Sequence, residues 1–169
     1  MKKNALFLSI IMVAFLCLGC SGTAKDGSVD DLAFSGNAQL RVFSADGSEW
    51  MIDESVMNQA QIVSFETTQG KSGEEAETNV HTGVLLKDIL AEAGVDVNGI
   101  SSIQCTSFDG FSKVYSKEDL EDPEKLFLTF EMDGQLLTYE DQDCFYIVVK
   151  NESFKQNWTK YLMEIEIFQ

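Results

Sequence analysis

Hydrophobic and polar residues alternate through most of the chain after residue 38, and a period of two is typical of β-strands with one buried face. The strand-like segments are 39–44, 49–52, 61–67, 100–108, 111–115, 126–132, 135–139, 145–149 and 161–168. Segment 145–149 is apolar throughout, which predicts a strand that is covered on both faces and lies near the centre of the sheet.

Three Asp-Gly pairs lie between consecutive strand-like segments, at Asp46-Gly47, Asp109-Gly110 and Asp133-Gly134. Between alternating segments this pair is a strong hairpin signal, because a type I′ turn needs positive φ at both of its central residues. Aspartate tolerates positive φ, and glycine adopts it at no steric cost. The chain is therefore predicted to contain three such hairpins.

One segment has the period of an amphipathic helix. Its apolar face carries Val84, Leu85, Leu86, Ile89, Leu90 and Ala93. Thr82 is the predicted N-cap, and Gly94 is predicted to follow the C-cap. Helical turns are also predicted after Asp53 and Ser116. The polar segment 68–79 predicts a loop of twelve residues, which is either functional or mobile, and a mobile loop is the preferred interpretation.

These elements predict an α+β domain with a mixed, mainly antiparallel β-sheet, rolled or sandwiched, and short helices at its rim. Pro123 is the only proline, so a proline-rich linker between domains is absent. A single domain is the expected organisation.

The N-terminal segment has the pattern of a lipoprotein export signal. Lys2 and Lys3 precede an apolar run at 5–19, which is short for a membrane span of about twenty residues. The segment 16–20 (LCLGC) resembles a bacterial lipobox, in which the final cysteine, here Cys20, is lipidated. Ordinary cleavage nearby is the alternative.

The predicted organisation is therefore a signal peptide at 1–19, a lipidated cysteine with a flexible tether at 20–36, and one domain at 37–169. The expected location is extracytoplasmic, with a lipid anchor in the bacterial cell membrane. The membrane is thus the first expected partner.

The chain is strongly acidic. Its formal net charge of −16 becomes −18 when Lys2 and Lys3 leave with the signal. Such a surface repels nucleic acid, which is excluded as a partner, and disfavours phosphate-bearing ligands. Arg41 is the only arginine, so bidentate arginine recognition of phosphate is nearly excluded as well.

Two cysteines, Cys105 and Cys144, remain in the predicted domain. They match no zinc spacing and no C-x-x-C motif, so no metal site is predicted. One disulfide and two buried free thiols both remain open. The chain contains no Ser-His-Asp grouping, phosphate loop or paired-His motif, and no catalytic residue is assigned.

Several segments resemble, in family order, the oxidoreductase molybdopterin-binding domain, which has the sulfite-oxidase-type fold. Segment 83–94 is similar to its "G-V-P-L-x-D-L-L … A-G" sequence, and 107–111 to its "S-x-D-G-Y" turn. Segment 130–137 resembles "x-x-M-N-G-x-x-L", and 144–167 resembles "P-x-R-L-V-V-P … K-W-V-K-x-L … I-E-V". The matches span about residues 60 to 168, roughly two thirds of the chain, and imply that fold.

Departures from the family concern its cofactor chemistry. Its active members bind molybdenum through a Cys thiolate on the strand corresponding to 61–79, which contains no cysteine here. A thiolate is the soft, charged ligand that molybdenum needs, and Ser64 or Thr67 would not replace it at neutral pH.

The family's basic residues are also mostly missing, as its cofactor-side Arg falls on Tyr146 and a Lys on Asn157. No cofactor is therefore expected, and molybdopterin is implied by the resemblance alone.

Five residues are candidates for a ligand pocket: His81, Cys105, Asp109, Tyr146 and Trp158. His81 falls on the family's Trp and could be a ligand or base, but an exposed histidine at a helix start is the preferred interpretation. Cys105 is either a small buried strand residue or a replacement ligand or redox thiol. Asp109 serves its turn or touches a ligand, and Tyr146 and Trp158 line a pocket or belong to the core.

The expected function is that of a membrane-anchored surface lipoprotein with a degenerate molybdopterin-binding-type domain. It would be a non-catalytic ligand-binding or redox-accessory module, whose partner is a small molecule or a redox protein. The alternative is a molybdopterin-dependent oxidoreductase or electron-transfer protein that retains its cofactor.

Overall fold

The computed structural model describes residues 32–70, 76–152 and 155–169. The packed domain begins before the predicted residue 37, because Phe34 is 1% exposed and lies in the hydrophobic core. The Phe34 N–H and C=O both bond to the Asn58 side chain, at 2.8 and 2.9 Å. The predicted signal peptide, Cys20 and most of the predicted tether lie outside the described residues.

The described strands are β1 (Leu40–Ser44), β2 (Glu49–Ile52), β3 (Ile62–Gln69), β4 (Glu77–Leu85), β5 (Ser102–Ser107), β6 (Ser112–Ser116), β7 (Leu126–Met132), β8 (Gln135–Leu136), β9 (Thr138–Tyr139), β10 (Gln142–Asp143), β11 (Phe145–Val149) and β12 (Thr159–Phe168). The α-helices are α1 (Glu54–Met57), α2 (Leu86–Glu92) and α3 (Lys117–Glu121). Short 3-10 turns lie at Val97–Gly99 and Lys155–Asn157.

β12 joins two branches of the main sheet. Its beginning pairs with β11, and its end pairs with β1 on one side and β5 on the other. One branch runs from β11 through β7 and β4 to β3, and the other contains β2, β1, β5 and β6. Among the described pairs only β1 with β12 is parallel, so the predicted mixed, mainly antiparallel α+β sheet is confirmed.

The core lies where apolar positions of the two branches meet the short helices. β11 is buried at every residue and pairs with β12 and β7, which confirms the central strand predicted from its apolar run. α2 contacts β4 and β7 through Leu86, Ile89 and Leu90, all fully buried.

The three predicted hairpins form, but their turns differ. At Asp133-Gly134 both residues have positive φ, 53° and 75°, as the type I′ prediction requires. At Asp46 and Asp109 the φ angle is not positive, and only the following glycine is left-handed. These two aspartates instead accept a backbone N–H from two residues onward, at 2.9 and 3.0 Å, so their predicted positive φ was wrong.

The predicted helix exists but begins at Leu86, because β4 continues through Leu85. Thr82 is therefore a strand residue rather than the N-cap, and its hydroxyl donates to Glu131 at 2.8 Å. Gly94 does follow the C-cap, with φ 92°. Its N–H and that of Val95 bond to earlier carbonyls in a Schellman arrangement, as predicted for a glycine at this position.

Of the seven residues of the predicted loop at 68–79 that the structure describes, five belong to strands. β3 continues to Gln69 and β4 begins at Glu77, and the pairs between them extend to these two residues. The inner positions of this extension are polar but buried, so polarity alone wrongly indicated a solvent-exposed loop. The caps Asp53 and Ser116 are confirmed, and Ser116 forms a capping box with Asp119.

Gly83 lets β4 approach β7 closely at an irregularity in their pairing. A Cβ at this position would lie 2.4 Å from the Leu128 carbonyl oxygen and 2.7 Å from the Thr129 Cα. Both are backbone atoms, which cannot rotate away. The glycine is therefore required by the packing of these two strands.

We expect Gly83→Ala to lower the free energy of unfolding by about 1–3 kcal/mol, because β7 must shift to admit the methyl group. Chemical denaturation of the variant and the wild type measures this difference. Gly99→Ala is the matched control, since its Cβ would meet nothing closer than 3.8 Å. Equal stability of the two variants would contradict the prediction.

Candidate functional site

The five residues predicted to line one pocket lie in different parts of the domain. His81 and Trp158 are in contact, with their rings edge to face and their centroids 5.2 Å apart. Tyr146 lies on β11 in a separate aromatic group, and Cys105 is buried in β5. Asp109 lies in the exposed turn after β5. The structure thus brings together two of the five.

His81 is fully buried within β4, so the prediction of an exposed histidine at a helix start was wrong. Its Nε2 lies 3.0 Å from the Thr67 hydroxyl. The Phe65 ring stacks against the imidazole at 5.6 Å between centroids. Phe65, Trp158 and Thr67 therefore hold the imidazole in one orientation, away from solvent.

Four buried polar side chains form what we call the polar row on the β3–β4 hairpin: Thr67, Gln69, Asn79 and His81. They alternate with exposed residues along both strands, which places them on the inner face. Thr67 is directly opposite Asn79 in the pairing register. The row therefore combines a hydroxyl, two carboxamides and an imidazole within a buried face.

Asn79 is tied to the β7–β8 turn. Its amide donates to the Asp133 carboxylate at 3.0 Å, and the Val80 N–H donates to the other Asp133 oxygen at 2.8 Å. The Asp133 N–H in turn donates to the Val80 carbonyl at 2.7 Å. Asp133 thereby fixes the outer end of β4, and one member of the polar row, to its neighbouring strand.

Gln69 differs from the other members of the polar row. It is 6% exposed, and within the described part of the chain neither its Nε2 nor its Oε1 has a hydrogen-bond partner. An unbonded buried carboxamide costs about 1–3 kcal/mol, so native proteins seldom keep one without a purpose. Gln69 thus leaves one donor group and one acceptor unbonded in the buried face of the hairpin.

The chemistry of the polar row is hydrogen bonding. Its residues supply neither a thiolate nor a carboxylate, and the described ranges contain no group of three His, Cys, Asp or Glu side chains that could hold a metal ion. The sequence did not reveal this site, because Gln69 and Asn79 were assigned to a loop and His81 to a helix start, and only Thr67 was placed in a strand. The alternation of Phe65, Thr67 and Gln69 could have indicated a longer strand.

Cys105 and Cys144 are free thiols, which decides between the two arrangements left open by the sequence. Cys105 is fully buried and pairs with Ile165 and Lys113. Burial raises the pKa of the Cys105 thiol far above its usual range and that of Cys144 to about 11. Both therefore remain protonated and unreactive near neutral pH.

Tyr146 belongs to what we call the aromatic array, formed by Phe108, Tyr139, Tyr146 and Tyr161. The rings of Phe108 and Tyr139 are nearly parallel, with their centroids 5.6 Å apart. Tyr161 then contacts both Tyr139 and Tyr146, at 4.9 and 5.2 Å. Burial, together with a hydrogen bond to Tyr161, raises the pKa of the Tyr146 hydroxyl, which stays neutral.

None of the helices in the described ranges is long and apolar enough to cross a membrane.

No protein-family model matches the chain, and no curated protein matches it. Among solved structures it is similar to the crystal structure of the sulfane dehydrogenase SoxCD from Paracoccus pantotrophus, with 15% identity and a TM-score of 0.59. The match covers 82% of this chain and 40% of that one, so this chain spans less than half of that protein's length. At this identity the likeness is one of fold, and the predicted sulfite-oxidase-type fold class is confirmed.

Replacing Gln69 by methionine removes the unbonded carboxamide and keeps a similar side-chain length. We expect Gln69→Met to raise the free energy of unfolding of the ligand-free protein by about 1 kcal/mol, as seen from chemical denaturation. Asn79→Leu is the control, since it removes a carboxamide that is bonded to Asp133 and should destabilise. A lower free energy of unfolding for Gln69→Met than for the wild type would show that the carboxamide stabilises the fold.

In the chain from residue 20 with Cys20→Ser, we expect Cys105 and Cys144 at pH 7.5 to react with iodoacetamide roughly a hundredfold more slowly in the folded than in the denatured protein, because both thiols are buried and protonated. As the pH rises toward 11, Cys144 should react first, because its pKa is raised less than that of Cys105. Mass spectrometry of the labelled peptides assigns each site. Rapid labelling of Cys105 at neutral pH would contradict this prediction and favour the interpretation of Cys105 as a redox thiol.

Proposed function

We propose that the protein is a membrane-anchored surface lipoprotein whose domain binds a small polar molecule without catalysing a reaction. Its anchor would be the lipidated Cys20, as the lipobox resemblance indicates. Its domain would be a degenerate form of the molybdopterin-binding type. The distant similarity in fold to a dehydrogenase supports a relationship to the molybdopterin-binding type. Fold alone does not determine activity, so the activity is inferred from the chemistry of the residues.

The observation that carries this proposal is the buried, unbonded carboxamide of Gln69 beside the Thr67–His81 hydrogen bond. These residues lie on the hairpin that corresponds to the family's metal-ligating strand. Where the family would present a thiolate, this chain presents hydrogen-bond donors and acceptors against aromatic rings. Such a surface suits a neutral polar ligand.

Molybdopterin does not fit the residues present. The described residues of the β3–β4 hairpin include no cysteine, and Cys105 cannot replace one from β5. In the sheet order β12, β11 and β7 stand between β5 and β4. Tyr146, at the position of the family's arginine, is a neutral hydroxyl and supplies no charge to a phosphate.

A redox function is the second candidate, and the similarity to a dehydrogenase favours it. In that case the domain is a molybdopterin-dependent oxidoreductase or an electron-transfer protein that retains a cofactor. Both versions require a metal or a chromophore in the working assembly, which separates them from simple ligand binding.

The chain from residue 20 onward, with Cys20→Ser, should be purified from cells supplied with molybdate. We expect a colourless protein without molybdenum, because a hydroxyl or carboxamide is a poor ligand for this metal. Elemental analysis and the visible spectrum measure both properties. Stoichiometric molybdenum or a visible chromophore would overturn the proposal in favour of the redox alternative.

The same preparation can show whether a ligand is bound. Denaturation followed by mass spectrometry of the released small molecules should yield a compound that is absent from Gln69→Met. Asp109→Asn is a matched control outside the hairpin, since Asn can still accept the Phe111 N–H. Equal recovery from Gln69→Met and wild type would show that the polar row is not the binding site.

A further inference from the structure

A cavity lies beside the β9–β10 hairpin, and none of its lining residues belongs to the polar row. Its volume is about 400 Å³, which is within the usual range for small-molecule sites. Its walls include Asn37, Phe108, Asp141, Asp143 and Leu162. Neither the sequence resemblance nor the proposed function assigns a role to it.

The cavity is electrostatically negative. Asp141 and Asp143 contribute carboxylates, and none of its described lining residues is Lys, Arg or His. The surrounding protein carries a formal net charge of −16, so the wider field has the same sign. An anionic ligand would be repelled here, whereas a cation would be attracted.

One wall of the cavity is apolar. Phe108 is 50% exposed, so one face of its ring is open to a ligand. Its ring stacks on Tyr139 with an interplanar angle of 6°, which fixes the orientation of the exposed ring. Leu162 adds buried aliphatic surface. An aromatic face next to carboxylates is the arrangement that recognises organic ammonium groups.

The carboxylate of Asp143 is held in place before any ligand arrives. Its Oδ2 accepts the Asn37 N–H at 2.7 Å. The preceding Gly36 permits this approach, since a Cβ there would lie 2.5 Å from the Phe34 ring and 3.1 Å from the same Oδ2. Backbone next to the buried Phe34 thus fixes the position of the Asp143 carboxylate before a ligand binds. This preorganisation reduces the entropic cost of binding.

We propose that this cavity binds an alkylammonium ligand, an organic cation with an aliphatic stem. The ammonium group would lie between Asp141 and Asp143, and the stem would pack on Phe108 and Leu162. No bond is made or broken, so the site is one of recognition. It is independent of the polar row, and either site can fail without the other.

Spermidine is a suitable probe, with 1,6-hexanediol as an uncharged molecule of similar stem chemistry. Titration calorimetry on the chain from residue 20 with Cys20→Ser should detect spermidine and not the diol. We expect Asp143→Asn and Phe108→Ala each to weaken spermidine binding about tenfold. Asn at 143 can still accept the Asn37 N–H, so the local fold is kept.

Glu92→Gln is the matched control, because it removes one exposed charge from α2, away from the cavity. General attraction to an acidic surface would weaken equally in Glu92→Gln and Asp143→Asn, and that result would overturn the proposal. Absence of spermidine binding at low ionic strength would overturn it as well. Should Asp143→Asn fail to fold by circular dichroism, Asp141→Asn in the exposed turn provides the same test.

Discussion

The backbone of Tyr161, at φ 51° inside β12, is the constraint on which the rest of the domain depends. A bulky residue rarely adopts this left-handed conformation, and a strand that contains such an irregularity bends and twists more strongly. The register of β12 against β11 shifts between Thr159 and Leu162, a stretch that contains Tyr161, and its register against β5 shifts just after it, between Leu162 and Glu164. At this point β12 leaves one branch of the sheet and enters the other. The Tyr161 carbonyl also accepts the Phe108 N–H at 2.9 Å, which ties the β5–β6 hairpin to the same bend.

The bend also arranges the two candidate sites. The Tyr161 side chain contacts Tyr146 and Tyr139, and Tyr139 in turn supports the ring of Phe108 at the acidic cavity. Trp158 lies just before β12 and packs against His81 in the other branch. Strain in the backbone is offset by this aromatic packing, and such strain is often found where a protein binds ligands. The polar row contains neutral hydrogen-bonding groups, whereas the acidic cavity contains the carboxylates of Asp141 and Asp143.

Much of the fold could be predicted from the sequence because its strands obey a local rule. The central position of β11, the hairpins at the Asp-Gly pairs and the left-handed Gly94 follow from apolar periodicity and backbone sterics. The start of α2 could not be located in this way. Val84 and Leu85 are apolar, which is compatible with a helix face and with a buried strand. They belong to the strand because they pair with β7. The turns at Asp46 and Asp109 differ from the prediction because each aspartate side chain accepts a backbone N–H within its turn. This hydrogen bond stabilises a turn in which the aspartate itself does not have positive φ.

The candidate site was less accessible to sequence reasoning. Polar residues at 69 and 79 indicate a loop unless their burial is known, and burial depends on what packs against the hairpin. His81 and Trp158 are 77 positions apart in number, and only the curvature of the sheet places their rings in contact. By itself the sequence determined most strands other than β4, the acidic charge and the absence of a thiol between residues 61 and 79, because these are properties of composition and local spacing. The tertiary structure alone decided which polar groups are buried together and which remain unbonded, because desolvation is a property of packing between distant segments.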